Sequence, residues 1–236
     1  MEKIALWFSE HWQGTVEGIT ATFITDDRWK WFLSGLENTL LISLFAVLLG
    51  IVIGLIAALF RLSKSKLLRA IGGTYVDIIR GTPTMVQLMI IYYIIFSKVA
   101  IPKIIVGFIA FGINSGAYIA EIVRGGILSI NKGQTEAGRS LGLSASQTMT
   151  YIIIPQTVKN ILPALANEFI VLIKETAVIG LISNIDLVGA VKKVQGRTYD
   201  YFWPLISAAI IYYVVIKILS LLLSRFEARL RKSDLR

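Results

Sequence analysis

The sequence predicts an all-α membrane protein with about five transmembrane helices, an N-terminus outside the cytoplasm and a C-terminus inside it. Of its 236 residues, 55% are hydrophobic and 17% are charged, and the mean hydropathy is +0.70. A water-soluble domain of this composition would expose large apolar patches, so the excess must face lipid. Long uncharged runs define the spans, and clusters of Lys and Arg between them define the orientation.

The composition also excludes several kinds of site. Cysteine is absent and histidine occurs once, as His11, so we expect no metal centre, and the redox compartment cannot be read from cysteine usage. The net charge of +9 is typical of nucleic-acid binding in soluble proteins. In a membrane protein, loop Lys and Arg set the topology instead, so no nucleic-acid partner is expected.

The chain begins with an interfacial segment and continues into a transmembrane domain. Aromatic and charged residues mix over residues 1–33, which predicts an extracytoplasmic segment at the membrane surface, and residues 34–236 form the transmembrane domain. The first span, Asn38–Phe60, has no charge in 23 residues, enough to cross a hydrocarbon core of ~30 Å. Within it, Gly50 and Gly54 have the spacing that lets another helix approach closely.

The next elements alternate between sides of the membrane. A basic loop, Arg61 to Arg69, is placed in the cytoplasm by the positive-inside rule. The second span runs from about Ala70 to Ser97 and the third from about Lys103 to Gly126. A polar cytoplasmic loop, 127–150, follows the third span.

The last elements complete the predicted topology. A fourth span begins near Gln156, a polar external link covers Asp186 to Asp200, and a fifth span runs from Tyr201 to about Ser224. Basic residues from Arg225 onward place the C-terminal tail in the cytoplasm.

Five charged residues inside predicted spans are candidates for a functional role, because a charge costs ~2.5 kcal/mol or more at the helix centre. They are Asp77, Arg80, Glu121, Glu168 and Lys174. Asp77 with Arg80, and Glu121 with Arg124, have the i, i+3 spacing of ion pairs, so helix stabilisation and substrate binding both remain open for them. Glu168 falls near the membrane midplane.

The triplet Gly81-Thr82-Pro83 interrupts the second span. Pro83 cannot donate to the carbonyl of Ile79, and glycine lowers the cost of leaving helical geometry. Free backbone groups at membrane depth are tolerated where they are buried in protein or line a cavity, so the triplet is either a substrate-contacting break or a simple kink.

A family resemblance rests first on the cytoplasmic loop. Glu136-Ala137-Gly138, three residues, Gly142, nine residues, Ile152, one residue and Ile154-Pro155 resemble the EAA loop of ABC importer permeases, which docks on the ATPase subunit. Gly138 stands where alanine is common in that family, and Ile154 where leucine is common.

Other segments resemble the polar amino acid permease group of the same superfamily. They are Phe32 to Leu36 with Asn38-Thr39-Leu40, Arg80 to Pro83 with Val86-Gln87-Leu88, Ser115 to Ile127, and Asn167-Glu168-Phe169 with Leu172 to Thr176. Ala177 departs from the family pattern, where serine is frequent. The resemblance covers residues 32–185, and the last span fits by position only.

The resemblance implies a permease subunit that pairs with a second copy or a homologue to form one translocation path in the bacterial cytoplasmic (inner) membrane. A short coupling helix near Lys132 to Leu143 would dock an ATPase, which carries ATP and Mg, while an extracytoplasmic binding protein delivers the substrate. The expected docking residues are Gln134, Glu136, Ala137, Arg139, Ser140, Leu141 and Gly142. The chain contains no GxxxxGK[ST] run, so it is expected to be neither the ATPase nor an enzyme, and to bind no cofactor itself.

The expected substrate is a polar amino acid. The predicted contact residues are Asp77, Arg80, Gly81, Thr82, Asn114, Ser115, Ala117, Glu121 and Glu168. Because the acids Asp77, Glu121 and Glu168 outnumber the bases Arg80 and Lys174, a basic amino acid is favoured, with Arg80 or freed backbone amides available for its carboxylate. The alternatives are an ion-coupled carrier or channel, and a membrane scaffold that does not transport.

Overall fold

The structure, a computed structural model, describes residues 13–183 and 185–232, without the side chains of residues 230–232. Every regular element in this part of the chain is helical. Residues 1–12, the beginning of the predicted interfacial segment, lie outside the described residues.

Helical turns precede the first long helix, at residues 13–19, Thr20–Ile24 and Thr25–Asp27. The helices that follow are α1 (Trp29–Leu62), α2 (Lys66–Arg80), α3 (Thr84–Ile90, extended by a π-turn at Ile91–Ile95), α4 (Lys103–Leu128), α5 (Lys132–Ser140), α6 (Ala145–Thr148), α7 (Ile154–Glu175), α8 (Leu187–Thr198) and α9 (Phe202–Lys232). A π-turn at Met149–Ile153 joins α6 to α7, and a 3-10 helix at Thr176–Leu181 follows α7.

Three of these helices are long and apolar enough to cross a membrane: α1, α4 and Phe202–Arg229 of α9. A fourth span is obtained if α2 and the segment Thr84–Ile95, bent by 105° at their junction, are counted as one. The predicted fourth span, α7, does not meet the same standard because Lys159, Glu168, Lys174 and Glu175 lower its hydropathy. The predicted break at Gly81-Thr82-Pro83 is confirmed.

Two boundaries differ from the sequence-based expectation. The predicted limit of the interfacial segment at residue 33 falls inside α1, which begins at Trp29. The predicted polar link Asp186 to Asp200 contains a helix, α8. Its buried Leu187, Ala190, Val191 and Val194 recur at helical spacing, so the apolar pattern was available in the sequence.

By its contacts the chain divides into two units, the first formed by Met1–Leu41 and Thr176–Val215. The described core of this unit contains Phe32 of α1 and the buried apolar face of α8. The Asn38 amide donates to the carbonyl of Ile185 (2.7 Å), and the Leu187 amide donates to the Thr39 hydroxyl (3.2 Å). The start of α1 thus holds the start of α8.

The second unit, Ile42–Glu175 and Ile216–Arg236, contains all the predicted site residues. Its helices approach closely at glycines. A Cβ at Gly54 would lie 2.9 Å from the Gly116 carbonyl of α4, and one at Gly72 would lie 3.0 Å from the Ala57 carbonyl. The close approach predicted from Gly50 and Gly54 is therefore confirmed, and α4 is the helix that approaches.

Candidate substrate path and docking helix

The break between α2 and α3 is stabilised by a side chain from within α3. Because Pro83 has no N–H, the carbonyl of Ile79 lacks its helical donor. The Gln87 amide nitrogen donates to this carbonyl (2.7 Å) and also lies within hydrogen-bond distance of the Thr82 carbonyl (3.1 Å) and hydroxyl (2.7 Å). The Thr82 hydroxyl in turn donates to the carbonyl of Ile78 (2.8 Å). The carbonyl oxygens at the break therefore accept hydrogen bonds from nearby side chains of the same segment.

The same glutamine connects the break to α4. Since its nitrogen faces backbone carbonyls, its oxygen Oε1 points the other way and accepts from the Asn114 amide nitrogen (2.9 Å). Asn114 is 1% exposed, and its own Oδ1 has no hydrogen-bond partner among the described residues. A buried acceptor left in this state is available to an N–H or O–H donor.

Glu168 of α7 is buried beside α4. It is 9% exposed, and the Ser115 hydroxyl donates to its Oε1 (2.8 Å). Within the described residues, no Lys or Arg forms an ion pair with this carboxylate. A carboxylate buried with a single hydroxyl donor has spare acceptor capacity, which suits a cationic ligand.

Glu121 has a different environment. One of its carboxylate oxygens accepts from the Arg61 guanidinium at the end of α1, and the other accepts from Arg124 (2.8 Å). The predicted i, i+3 pair with Arg124 is therefore confirmed, with Arg61 as a second partner. Two guanidinium groups already compensate this carboxylate.

The remaining residues of the predicted site lie on α2, the break and α4. Asp77, Arg80, Gly81 and Thr82 are exposed, and Ala117 is buried. Asp77 and Arg80 form no ion pair with each other in the described structure; the Arg80 guanidinium instead lies 5.3 Å from the ring centre of Tyr118.

A helix, α5, is present where the coupling helix is predicted, and both its ends are capped. At its start, the Asn131 side chain accepts from the Gly133 amide (2.8 Å). At its end, Gly142 has a φ of +87°, and the Leu143 amide donates back to the Gly138 carbonyl (3.1 Å). These are the features of a Schellman motif, which defines where the chain leaves the helix.

One side of α5, at Gly138, packs against the protein, and the other residues of the helix are exposed. A Cβ at Gly138 would lie 2.8 Å from the side chains of Thr148 and Ile152, so the glycine allows close packing on the turns that lead into α7. The predicted docking residues are exposed: Gln134, Glu136, Ala137, Arg139, Ser140, Leu141 and Gly142. Leu141 is 82% exposed, so its side chain is accessible to a partner protein.

Two side chains that contact predicted site residues, Gln87 and Arg61, are not themselves among the predicted site residues. Gln87 was noted only as part of a motif, although its position four residues after Pro83 is consistent with capping the broken turn. Arg61 was assigned to the basic loop, and nothing in the sequence pairs it with Glu121, 60 positions away.

A broken helix, a buried acid and several helices long enough to cross a membrane are consistent with a membrane permease, and comparison with known proteins supports that class. Residues 50–232 match the family described as the inner membrane component of binding-protein-dependent transport systems. A putative glutamine transport system permease protein of Rickettsia typhi is 41% identical over 202 residues, covering 84% of this chain and 92% of that protein.

Two further relatives agree. The arginine transport system permease protein of Bacillus subtilis is 36% identical over 211 residues, covering 86% of this chain and 93% of that protein. A solved structure described as an amino acid ABC transporter with histidines superposes with a TM-score of 0.82 at 44% identity, covering 88% of this chain and 98% of that chain.

The chain therefore belongs to the family of inner membrane components of binding-protein-dependent transport systems. It is a multi-pass permease subunit of an ABC importer and not an enzyme, and the alternative of an ion-coupled carrier is excluded.

Proposed function

We propose that this chain forms part of the path by which an ATP-driven importer moves amino acids with a positively charged side chain across the bacterial cytoplasmic membrane. The single observation that carries the substrate class is Glu168, a buried carboxylate with one hydroxyl donor and no cation partner among the described residues. A bound ammonium or guanidinium would compensate its charge.

The contacts of the three intramembrane acids leave Glu168 as the main support for a basic substrate. Three intramembrane acids favoured a basic substrate, but Glu121 is compensated by Arg61 and Arg124, and Asp77 is exposed on α2. The proposal therefore depends on Glu168, with Asn114 Oδ1 as a second acceptor. Apart from Glu121, whose charge is already compensated, the other predicted contact residues remain part of the proposed site.

In the proposed topology the chain crosses the membrane five times, with α7 as the fourth span, the N-terminus outside and the C-terminus in the cytoplasm. The basic loop before α2 and the Arg-rich end of α9 support this orientation. The charges of α7 can be tolerated if they face protein, and Glu168 does so.

The proposed assembly pairs this chain with a second copy or a homologue, with an ATPase at α5 and with an extracytoplasmic binding protein. ATP and Mg would bind the ATPase, and no cofactor would bind this chain. ATP-driven closure of the ATPases would move α5, and the contact of Gly138 with Thr148 and Ile152 would transmit that movement toward α7.

Glu168→Gln tests the substrate class. The amide keeps the size of the side chain and an acceptor for Ser115 but removes the charge, so uptake of arginine should fall about tenfold or more while uptake of glutamine changes little. The measurement is uptake of each labelled amino acid in vesicles that contain the complete transporter.

Glu121→Gln is the matched control, because it removes the same charge from a carboxylate that already has two cation partners. Any loss in this variant should affect arginine and glutamine alike. Equal effects of Glu168→Gln on both substrates, or no effect, would contradict the proposal.

A further inference from the structure

A shallow apolar groove lies between α1 and α2 in the second unit. It has a volume of about 200 Å³, and its exposed lining is wholly apolar. The lining residues are Ile53, Ile56, Ala57, Phe60, Ile71, Gly72 and Tyr75. From Ile53 to Phe60 the groove follows two turns of α1, roughly 10 Å, which matches a stretch of extended hydrocarbon chain.

One end of this groove meets the basic loop between the two helices. Lys64, Lys66 and Arg69 are all exposed, and none forms an ion pair in the described part of the chain. Arg69 lies one helical turn before Gly72, so its long side chain starts beside the groove. Arg61 differs from these three because its guanidinium is bound to Glu121.

An apolar groove that ends at unpaired cations has the chemistry of a phospholipid with a negatively charged headgroup. Basic pockets beside transmembrane helices bind such headgroups, and each Lys or Arg near the membrane surface adds an attraction that the zwitterionic lipids lack. The hydrocarbon chain would occupy the groove, and the phosphate would lie near Arg69.

We propose that this groove and the cations Lys64, Lys66 and Arg69 form a binding site for one anionic phospholipid. None of the lining residues and none of these cations belongs to the residues of the proposed substrate path, so the proposal does not depend on which amino acid is transported. Its expected effect is to hold α2, the first half of the broken helix, against α1.

The test uses the complete transporter purified from membranes that contain phosphatidylglycerol and phosphatidylcholine. The number of lipids of each kind that stay bound is measured by native mass spectrometry. We expect phosphatidylglycerol to be retained in preference to phosphatidylcholine, and Lys66→Gln with Arg69→Gln to reduce its retention about tenfold or more, since each charge contributes roughly fivefold.

The charge control is Arg225→Gln with Arg229→Gln, which removes two exposed charges from the end of α9 and should leave phosphatidylglycerol retention unchanged. General attraction between a basic surface and an anionic membrane would instead make both pairs of substitutions equally harmful. That result, or equal retention of the two lipids by the unchanged protein, would overturn the proposal.

A second pair of variants tests the groove itself. Ile56→Trp would fill the groove and displace the lipid with all cations present, whereas Leu59→Trp adds the same ring at a position that is 64% exposed and outside the lining. Ile56→Trp is expected to lose the lipid and Leu59→Trp to keep it. Retention by Ile56→Trp would show that the headgroup cations act without the groove and would contradict the site.

Discussion

Two carboxylates within predicted spans differ mainly in whether the chain supplies cations for them. Glu121 contacts two guanidinium groups, while Glu168 accepts one hydrogen bond from Ser115. Removing one partner from a buried charge costs several kcal/mol, because the charge left behind is uncompensated. Glu121 is therefore suited to holding α1 and α4 together, and Glu168 to receiving a charge from outside the chain.

Arg61→Gln tests the structural role of the first carboxylate. It leaves Arg124 as the only cation contact of Glu121, so the transporter should become less thermally stable by about 1–3 kcal/mol. The measurement is the unfolding midpoint in detergent. Lys98→Gln, which removes an exposed cation that forms no ion pair in the described part of the chain, is the control and should change the midpoint little. Equal unfolding midpoints of the two variants would show that the contact between Arg61 and Glu121 does not stabilise the protein.

Asp186 provides a pH-dependent prediction. This fully buried residue caps α8 by accepting from the Gly189 (2.9 Å) and Val188 (3.2 Å) amides. Burial raises the pKa of its carboxyl from 3.8 to about 6, although the amides and nearby Lys192 favour the charged form. Between these pH values the folded chain keeps a proton that the unfolded chain has released, so stability falls as the pH rises through that window.

Asp186→Asn should remove this dependence, because the amide oxygen still caps the helix but does not titrate. The unfolding midpoint of the unchanged protein is expected to decrease from pH 4 to pH 7, and that of the variant to decrease by clearly less. Asp186→Ala, which loses the cap, should be less stable than Asp186→Asn at every pH. Identical pH profiles for the unchanged protein and Asp186→Asn would contradict the assignment.

The break between α2 and α3 is an element whose stability depends on Gln87. Gln87→Leu would leave the partly buried carbonyls of Ile79 and Thr82 without their side-chain donor, at a cost of about 1 kcal/mol or more. Replacing Pro83 with alanine restores an N–H that can reach the Ile79 carbonyl, so Gln87→Leu should cost less in that background. A double-mutant cycle on the unfolding free energy measures this coupling, and additive effects would show that Gln87 does not serve the break.

The end of α5 tests the docking helix. Gly142→Ala places a side chain at a φ of +87°, which should cost about 1 kcal/mol and loosen the end of the helix. Gly142→Asn is the matched variant, since asparagine tolerates this conformation better. ATPase activity stimulated by the substrate-loaded binding protein should be lower in the alanine variant than in the asparagine variant. The reverse order would argue against a role for this turn.

Local patterns in the sequence were sufficient for the long helices, the break and the docking helix. Uncharged length predicts α1, Pro83 predicts the break, and helix-forming residues between Gly133 and Gly142 predict α5. Contacts between distant residues were not accessible in this way. The pairing of Arg61 with Glu121 and the capping of Ile79 by Gln87 depend on how helices pack or bend, which one sequence does not specify.

The arrangement of spans shows the same limit for the chain as a whole. Hydropathy identifies α1, α4 and α9 directly, but α7 has too many charges to be recognised as a span by composition. Its predicted membrane position follows from the apolar residues after Gln156 and from the polar loops on either side of it. Charged helices that line a transport path are difficult to detect by hydropathy because their polar residues serve the path.

Transport through this chain is proposed to be driven by an ATPase docked on α5. The direct measurement is uptake of labelled arginine into proteoliposomes that contain the chain with its partner permease, the ATPase and the binding protein. We expect uptake to require ATP and to be abolished by Leu141→Arg on α5. The control Leu67→Arg, at a position on α2 that is 69% exposed, should retain uptake. Uptake without ATP, or full uptake by the Leu141→Arg variant, would contradict the proposal that an ATPase docked on α5 drives transport.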